Sequence, residues 1–152
     1  MKPYIFFLIL MASFHLNAQT DEETAAKQAV IDFFEGFHQK DSLRMQQVVH
    51  KDLVLQTTFT NKDGKAQLRT QDASGFIKAV VSRAESPTWT EKILSYNVQV
   101  DGTMANVWTP YEFWLDGKFL HCGVNSFQLF KDDGQWKIIY LIDTRRKKGC
   151  QE

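Results

Sequence analysis

The sequence predicts an α+β fold, with helices in the first part of the domain and an antiparallel sheet in the second. Two observations predict this class. Before Pro87, apolar residues recur at three- and four-residue steps, which is the period of an amphipathic helix. After Pro87, Asp-Gly pairs separate four long β-type runs, each predicted as one strand: WTEKILSYNVQV (Trp89 to Val100), TMANVWTPYEFWL, KFLHCGVNSFQLF and QWKIIYLIDTRR. Asp-Gly between such runs is a strong indication of tight hairpin turns.

Three helices are predicted in the first part. The first, Glu22 to Lys40, carries one apolar stripe formed by Ala26, Val30, Phe33, Phe34 and Phe37. Asp41 is suited to be the N-cap of a short second helix, and Asp72 the N-cap of a third that ends at Ser86-Pro87. Between the second and third helices, Asp52 to Thr60 is rich in β-branched and aromatic residues and predicts a strand.

The first 18 residues have the layout of a secretory signal peptide. Lys2 supplies a positive charge, an apolar run extends from Tyr4 to Phe14, and Ala18 is a small residue suited to cleavage. The apolar run is too short to span a bilayer. We therefore expect export to the periplasm or the medium, and a mature single domain of residues 19–152 that has no membrane contact once the signal is removed.

The charge pattern and the histidines narrow the possible partners. Lys plus Arg and Asp plus Glu number 18 each, and the only basic cluster, Arg145 to Lys148, lies near the chain end, so we expect no nucleic-acid partner. The mature histidines His38, His50 and His121 do not have the close spacing of zinc ligands. No phosphate-binding glycine pattern is present, and we predict neither a metal nor a cofactor.

Two cysteines, Cys122 and Cys150, leave the question of a disulfide open. An exported chain allows a bridge, but Cys150 lies in a polar tail and nothing in the sequence fixes its distance from Cys122. A buried free Cys122 is the alternative.

Turn type determines which side chains share a face of the sheet. We assume two-residue turns at Asp101-Gly102 and Asp116-Gly117, and a three-residue turn that ends at Gly134. One face is then almost entirely apolar with a few hydroxyl groups, and the other is polar with two indoles. A two-residue turn at Asp133-Gly134 is the alternative, and it would move Trp136, Ile138 and Tyr140 to the polar face.

Several stretches of the sequence resemble the nuclear transport factor 2-like superfamily. They are AVIDFFEGFHQKD, VVHKDLVL, ANVWTPYEF and FQLFKDDGQWKIIYLIDTRR. PYEFWLDGKFLHCGVNSFQLF and GQWKIIYLIDTRR are similar, more narrowly, to a SnoaL-like bacterial branch labelled lumazine-binding. The resemblance implies that the sheet curves around the three helices to form a cone. It does not select a function, because this fold hosts enzymes, binding proteins and interaction modules.

The assumed register suggests a first candidate site on the polar face. Glu112, His121 and Arg145 would lie opposite one another on three neighbouring strands, with Asp143 one step along. Such a row could bind an anion or hold a base in one tautomer, or it could be an exposed salt-bridge ladder. Trp108 and Trp114 on the same face suggest that a ligand or a second subunit covers it.

The second candidate site is the apolar face. Its few polar groups would be the side chains of Tyr96, Thr109, Tyr111, Cys122, Ser126 and Tyr140, in the arrangement of a small-molecule pocket or of a filled core. In this register the apolar face contains no carboxylate, which argues against the chemistry of ketosteroid isomerase. His121 and Cys122 are neighbours in a strand and point to opposite faces, so a dyad of the two is geometrically poor unless a bulge intervenes.

We therefore predict an exported, non-catalytic domain that binds a small aromatic or partly anionic molecule and forms a homodimer. The expected ligand-binding residues are Tyr96, Trp108, Tyr111, Glu112, His121, Cys122, Asn125, Tyr140, Asp143 and Arg145. One alternative is an enzyme of isomerase, cyclase or hydrolase type that uses Tyr111, His121 and Asp143 for acid/base chemistry. Another alternative is a dimeric interaction module with a filled cone.

Overall fold

The computed structural model describes the backbone of residues 3–150 and the side chains of residues 20–150. The predicted signal peptide, residues 1–18, therefore lies outside the described side chains. The helices are α1 (Pro3–Gln39), α2 (Ser42–Val48) and α3 (Ala73–Ser82). The strands are β1 (Val49–Thr60), β2 (Ala66–Gln71), β3 (Trp89–Ile93), β4 (Asn97–Asp101), β5 (Met104–Leu115), β6 (Lys118–Asp132) and β7 (Gln135–Arg145). Within the described residues, no helix is both long enough and apolar enough to cross a membrane.

The strands form one seven-stranded sheet in the order β2-β1-β7-β6-β5-β3, and β4 also pairs with β5. Every pair is antiparallel except β1 and β7, which run parallel. The parallel pair is possible because a long part of the chain separates the two strands. The predicted α+β class is confirmed, and the predicted antiparallel sheet is correct for all pairs but this one.

The helices pack on the inner face of the sheet as their apolar stripes predict. Six apolar residues of α1 are buried, and the rings of Phe33 and Phe34 both contact Phe127 of β6 edge-on. The two predicted N-caps are confirmed. Asp41 accepts a hydrogen bond from the backbone N–H of Arg44 at 3.0 Å, and Asp72 accepts one from Gly75 at 2.6 Å.

Two features of the sheet differ from the strand prediction. Strand β2 was not predicted; all its residues are exposed, so it has no alternation of apolar and polar side chains to reveal it. The run from Trp89 to Val100, predicted as one strand, is broken at residues 94–96. Its two halves, β3 and β4, pair with different parts of β5, since Ile93 lies opposite Tyr111 and Asn97 opposite Trp108.

A β-bulge in β6 reverses the predicted positions of His121 and Cys122. The turn at Asp116-Gly117 has two residues, as predicted, and Leu115 pairs with Lys118. Leu120 is then an extra residue, because Trp114 pairs with Phe119 and Phe113 with His121. Beyond the bulge, His121 shares the inner face with Tyr111 and Phe113, while Cys122 pairs with Glu112. The predicted row of Glu112, His121 and Arg145 is therefore wrong.

A second bulge, in β7, brings two more polar residues to the inner face. The turn before β7 is the two-residue Asp133-Gly134, with φ of 45° and 81°, and not the predicted three-residue turn. Trp136 and Ile138 are nevertheless buried on the inner face, as predicted, because the bulge in β6 and the shorter turn each reverse the faces and so cancel. Ile139 is an extra residue, because Leu129 pairs with Ile138 and Gln128 with Tyr140.

Beyond the second bulge, Leu141, Asp143 and Arg145 line the inside of the cone. Both charged residues had been predicted on the opposite face. The first turn also differs, because Asp101 pairs with Met104 and the loop is therefore Gly102-Thr103. That difference shifts the pairing by two positions and leaves the faces of β5 as predicted.

Candidate ligand-binding cavity

The cone encloses a cavity of about 460 Å³ between the helices and the inner face of the sheet. This volume lies in the range of small-molecule pockets. One wall is aromatic, with Phe33 and Phe76 stacked at 6.4 Å and Phe37 6.2 Å from Trp89, measured between ring centroids. Phe113 of β5 completes this wall. The alternative of a filled cone is therefore wrong.

Asp143 is the centre of the polar end of the cavity, which is defined here by Glu91, Tyr111, His121, Asp143 and Arg145. One Asp143 oxygen, Oδ1, accepts a hydrogen bond from the Thr57 hydroxyl at 2.5 Å. The other, Oδ2, accepts one from Arg145 Nε at 2.8 Å and lies 3.1 Å from the Tyr111 hydroxyl. The carboxylate is thus held by side chains from three strands, β1, β5 and β7.

Tyr111 is fixed as a protonated phenol. Its side chain is almost completely buried, and its hydroxyl lies 2.9 Å from the Thr144 carbonyl oxygen as well as near Asp143. Burial, with the negative charge of Asp143 added, raises the pKa of Tyr111 far above its ordinary value. Tyr111 is therefore a hydrogen-bond donor at every physiological pH.

Glu91 lies in the same cavity and was not predicted. Its Oε1 accepts a hydrogen bond from Asn125 Nδ2 at 2.8 Å, and that nitrogen lies 3.3 Å from the Thr109 hydroxyl. Burial raises the pKa of Glu91 to about 7; the Asn125 hydrogen bond opposes the rise and the charge of Asp143 adds to it. Glu91 could have been found from sequence, because it alternates with Trp89 and Ile93, which pack towards the core.

His121 is a buried imidazole without a hydrogen-bond partner in the described part of the chain. It is 9% exposed, lines the cavity, and stacks on Phe113 with ring centroids 5.0 Å apart. Burial, together with the positive charge of Arg145, lowers the pKa of His121 to about 4. At neutral pH the ring is therefore uncharged and offers one donor and one acceptor to the cavity.

The ten predicted binding residues are divided by the structure into two groups. Tyr111, His121, Asp143 and Arg145 line the cavity, and Asn125 supports it through Glu91. The other five do not line it.

These five residues lie elsewhere on the domain. Glu112 accepts a hydrogen bond from Trp114 Nε1 at 3.0 Å, Tyr140 donates one to Gln56, and Lys27 lies 5.0 Å above the Tyr96 ring. Trp108 is 47% exposed, and Cys122 is buried in a disulfide. The two bulges explain why Glu112, Cys122 and Tyr140 lie away from the cavity.

Cys122 and Cys150 form a disulfide with Cα atoms 5.8 Å apart, so the alternative of a free Cys122 is wrong. The bridge lies directly behind the polar end. The backbones of Cys122 and Arg146 exchange two hydrogen bonds of 2.9 Å, and these residues adjoin His121 and Arg145. The chain end is therefore attached to the strand that carries His121.

Gly123 allows the close approach of β6 to the end of β7. A Cβ atom at this position would lie 1.7 Å from the Thr144 carbonyl oxygen and 2.8 Å from the Tyr111 ring. No side chain fits there without a shift of the backbone.

Within the described residues, no group of three or more His, Cys, Asp or Glu side chains is placed to hold a metal ion. The polar end offers one imidazole and two carboxyls, of which Asp143 already accepts hydrogen bonds on both oxygens. The arrangement is suited to hydrogen bonding and to charge pairing with an organic molecule.

Comparisons with known proteins agree with this architecture. The model of the family described as "Putative lumazine-binding" matches residues 21–140. A solved NTF2-like protein of unknown function from Shewanella baltica is 18% identical, with a TM-score of 0.61 over 85% of this chain and 97% of that chain. Another from Methylobacillus flagellatus is 17% identical, with a TM-score of 0.58 over 83% and 93%.

A structure described as a putative scytalone dehydratase from Novosphingobium aromaticivorans is 11% identical, with a TM-score of 0.66 over 90% of this chain and 99% of that chain. A search of curated proteins gives no match. At these identities the likeness to solved structures shows the fold, which is NTF2-like.

Proposed function

The chain belongs to the putative lumazine-binding family, and we propose that it is an exported domain that binds a small organic molecule inside its cone without transforming it. The observation that carries the proposal is the open cavity, which has an aromatic wall at one side and a polar end at the other. An apolar body and a few oriented polar groups are the usual components of such a binding site.

The hydrogen bonds of Asp143 support binding over catalysis. Both of its oxygens already accept hydrogen bonds, from Thr57 and Arg145. A carboxylate whose two oxygens are engaged by a hydroxyl and a guanidinium is placed to hold those groups in position, and it presents no oxygen without a hydrogen bond to a substrate.

A second candidate function, an enzyme with acid/base chemistry, is favoured by one observation. Tyr111, His121 and Asp143, the residues predicted for that role, all line the cavity beside Glu91. Glu91 has a pKa of about 7, and a general base works best with a pKa near the operating pH. Conversion of a bound molecule by the wild type, lost in Glu91→Gln, would favour this candidate.

Export and dimerisation are parts of the same proposal. The pattern of residues 1–18 and the Cys122–Cys150 disulfide both support an oxidising, extracytoplasmic location. Trp108, Met104 and Phe130 are large apolar side chains exposed on the outer face of the sheet, and Met104 pairs with Phe130. We propose that a second copy of the chain covers this face.

Native mass spectrometry of protein purified from its own host tests the proposal, because it reports bound ligand and subunit number together. We expect a dimer that retains a small molecule. Leu141→Trp should fill the cavity and abolish retention, whereas Leu68→Trp, at an exposed leucine of β2 outside the cavity and away from Trp108, should leave it intact. An empty wild type, or equal retention by the Leu141→Trp variant, would contradict the binding function.

A further inference from the structure

Three groups at the polar end have hydrogen-bonding capacity that the described part of the chain does not use. Among the described residues, Arg145 binds Asp143 through Nε alone, and its two terminal nitrogens have no partner there. His121 lines the cavity and has no hydrogen-bond partner in the same part of the chain. Glu91 receives one hydrogen bond, on Oε1, and its Oε2 is free. A ligand that enters this end removes these groups from water and must satisfy them, because polar groups cut off from water without a partner are costly.

The charges at the polar end limit what the ligand can be. Arg145 and Asp143 are 2.8 Å apart and compensate each other, and His121 is neutral. Tyr111 is a neutral phenol, so Glu91 is the remaining group of the polar end that can carry a charge near neutral pH. A ligand that carries a negative charge would therefore raise the number of uncompensated negative charges from one to two whenever Glu91 is ionised.

The other charged and titratable groups around Glu91 do not supply a compensating cation. From α1, His38 Nε2 accepts the backbone N–H of Glu91 at 3.0 Å, so that nitrogen is unprotonated. Arg83, after α3, lies 5.0 Å above the Phe37 ring and 5.3 Å above the Trp89 ring. From β5, Tyr111 is a neutral phenol, as described above.

We propose, on the basis of the binding function above, that the ligand is an aromatic monocarboxylate and that its capture is coupled to the uptake of one proton by Glu91. The aromatic body lies against the phenylalanine wall. The carboxylate accepts hydrogen bonds from the terminal nitrogens of Arg145 and from the N–H of His121. Arginine presents two parallel donors that match the two oxygens of a carboxylate.

The proton on Glu91 comes from solvent and is shared with the ligand after binding. Protonation converts Oε2 from a free acceptor into a donor that reaches the ligand carboxylate. Two carboxyl groups that share a site retain a single negative charge, because both cannot ionise at close range. In the bound state Arg145 is paired with Asp143, and one further negative charge is shared between the carboxyl groups of Glu91 and the ligand.

Proton coupling gives a pH dependence with a defined direction. In the free protein, Glu91 is protonated below about pH 7 and ionised above it. If only the protein with protonated Glu91 binds the ligand, the apparent Kd rises with the ionised fraction of Glu91. It is then about 30-fold larger at pH 8.5 than at pH 5.5. Affinity is flat below pH 6, where Glu91 is already protonated.

Calorimetric titration with 2-naphthoate, with neutral 2-naphthamide as the matched probe, tests the proposal. We expect naphthoate to bind about 30-fold more weakly at pH 8.5 than at pH 5.5, and to take up one proton when the titration is repeated at pH 8.5 in buffers of different ionisation enthalpy. The amide should bind at least tenfold more weakly at pH 5.5.

Variants separate the roles of the residues. Glu91→Gln keeps a donor at the site and should bind naphthoate with no dependence on pH between 5.5 and 8.5. Glu112→Gln, a carboxyl on the outer face, should behave as the wild type. Arg145→Lys retains the charge but loses the paired donors, so it should weaken naphthoate binding at least tenfold while leaving the amide unchanged.

The proposal is overturned if the amide binds as well as naphthoate, if the wild type shows no pH dependence, or if Glu91→Gln keeps it. Absence of naphthoate binding at pH 5.5 also overturns it. Retention of a different small molecule by the native protein would then show that the binding function stands while this choice of ligand fails.

Discussion

Replacement of Cys150 by Ser should destabilise the domain by an amount that follows from the position of the disulfide. The bridge joins residues 28 positions apart, and the chain-entropy relation for a loop of that length gives about 3.6 kcal/mol. The folded state loses little else, because Cys150 lies outside the helices and strands and Cys122 remains buried between strands. Nearly the whole effect therefore comes from the greater freedom of the unfolded chain.

Equilibrium unfolding in urea measures this loss. The oxidised wild type should have the highest free energy of unfolding. The wild type with reductant and the Cys150→Ser variant should both have lower values, equal to each other. Reductant should have no effect on the variant. A loss of less than about 1 kcal/mol, or a further loss when the variant is treated with reductant, would refute the entropic reasoning.

Two other predictions follow from the polar end. Gly123→Ala places a Cβ atom against the Thr144 carbonyl, so it should lower the free energy of unfolding by about 1–3 kcal/mol or more and lower the melting temperature. Gly64→Ala, in an open turn, serves as a control, because its only cost is backbone conformation. His121 should titrate near pH 4 in nuclear magnetic resonance spectra. Since its ordinary value is 6.5, the unfolded chain gains a proton first, so the contribution of His121 to stability should fall as the pH falls from about 6.5 to 4. The raised pKa of Glu91 acts in the opposite direction between about pH 7 and 4.5, so the fall is measured in Glu91→Gln; a measured His121 pKa near 6.5 would contradict the buried position.

The sequence predicted the helices, their caps and the class of the fold because these depend on local patterns. The stripe of α1 and the side chains of Asp41 and Asp72 act within one or two turns. The faces of β6 and β7 could not be predicted in the same way. Phe119 and Leu120 are both apolar, and residues 138–142 are apolar throughout. An extra residue in such a run leaves no mark in the alternation.

The candidate site was therefore predicted in composition more than in geometry. Tyr111, His121, Asp143 and Arg145 were all named, yet they were assigned to two faces and the structure places them on one. Glu91 was missed because the break at residues 94–96 was not visible, and the run that contains it was treated as one strand. The alternation of inward and outward side chains along a strand does not continue across such a break, so the face of Glu91 cannot be inferred from Tyr96 or Val98.

The extra residues Leu120 and Ile139 interrupt the alternation of faces, so the side chains before and after each bulge no longer follow one count along the strand. Alternation of side chains counted from the hairpin turn places His121 and Asp143 on the outer face of the sheet. Alternation counted from the polar end places them on the inner face, where they lie. A designer who moved these side chains into another cone by copying positions relative to the turns would place them in solvent. Transfer of the site requires the two single-residue insertions as much as the side chains themselves.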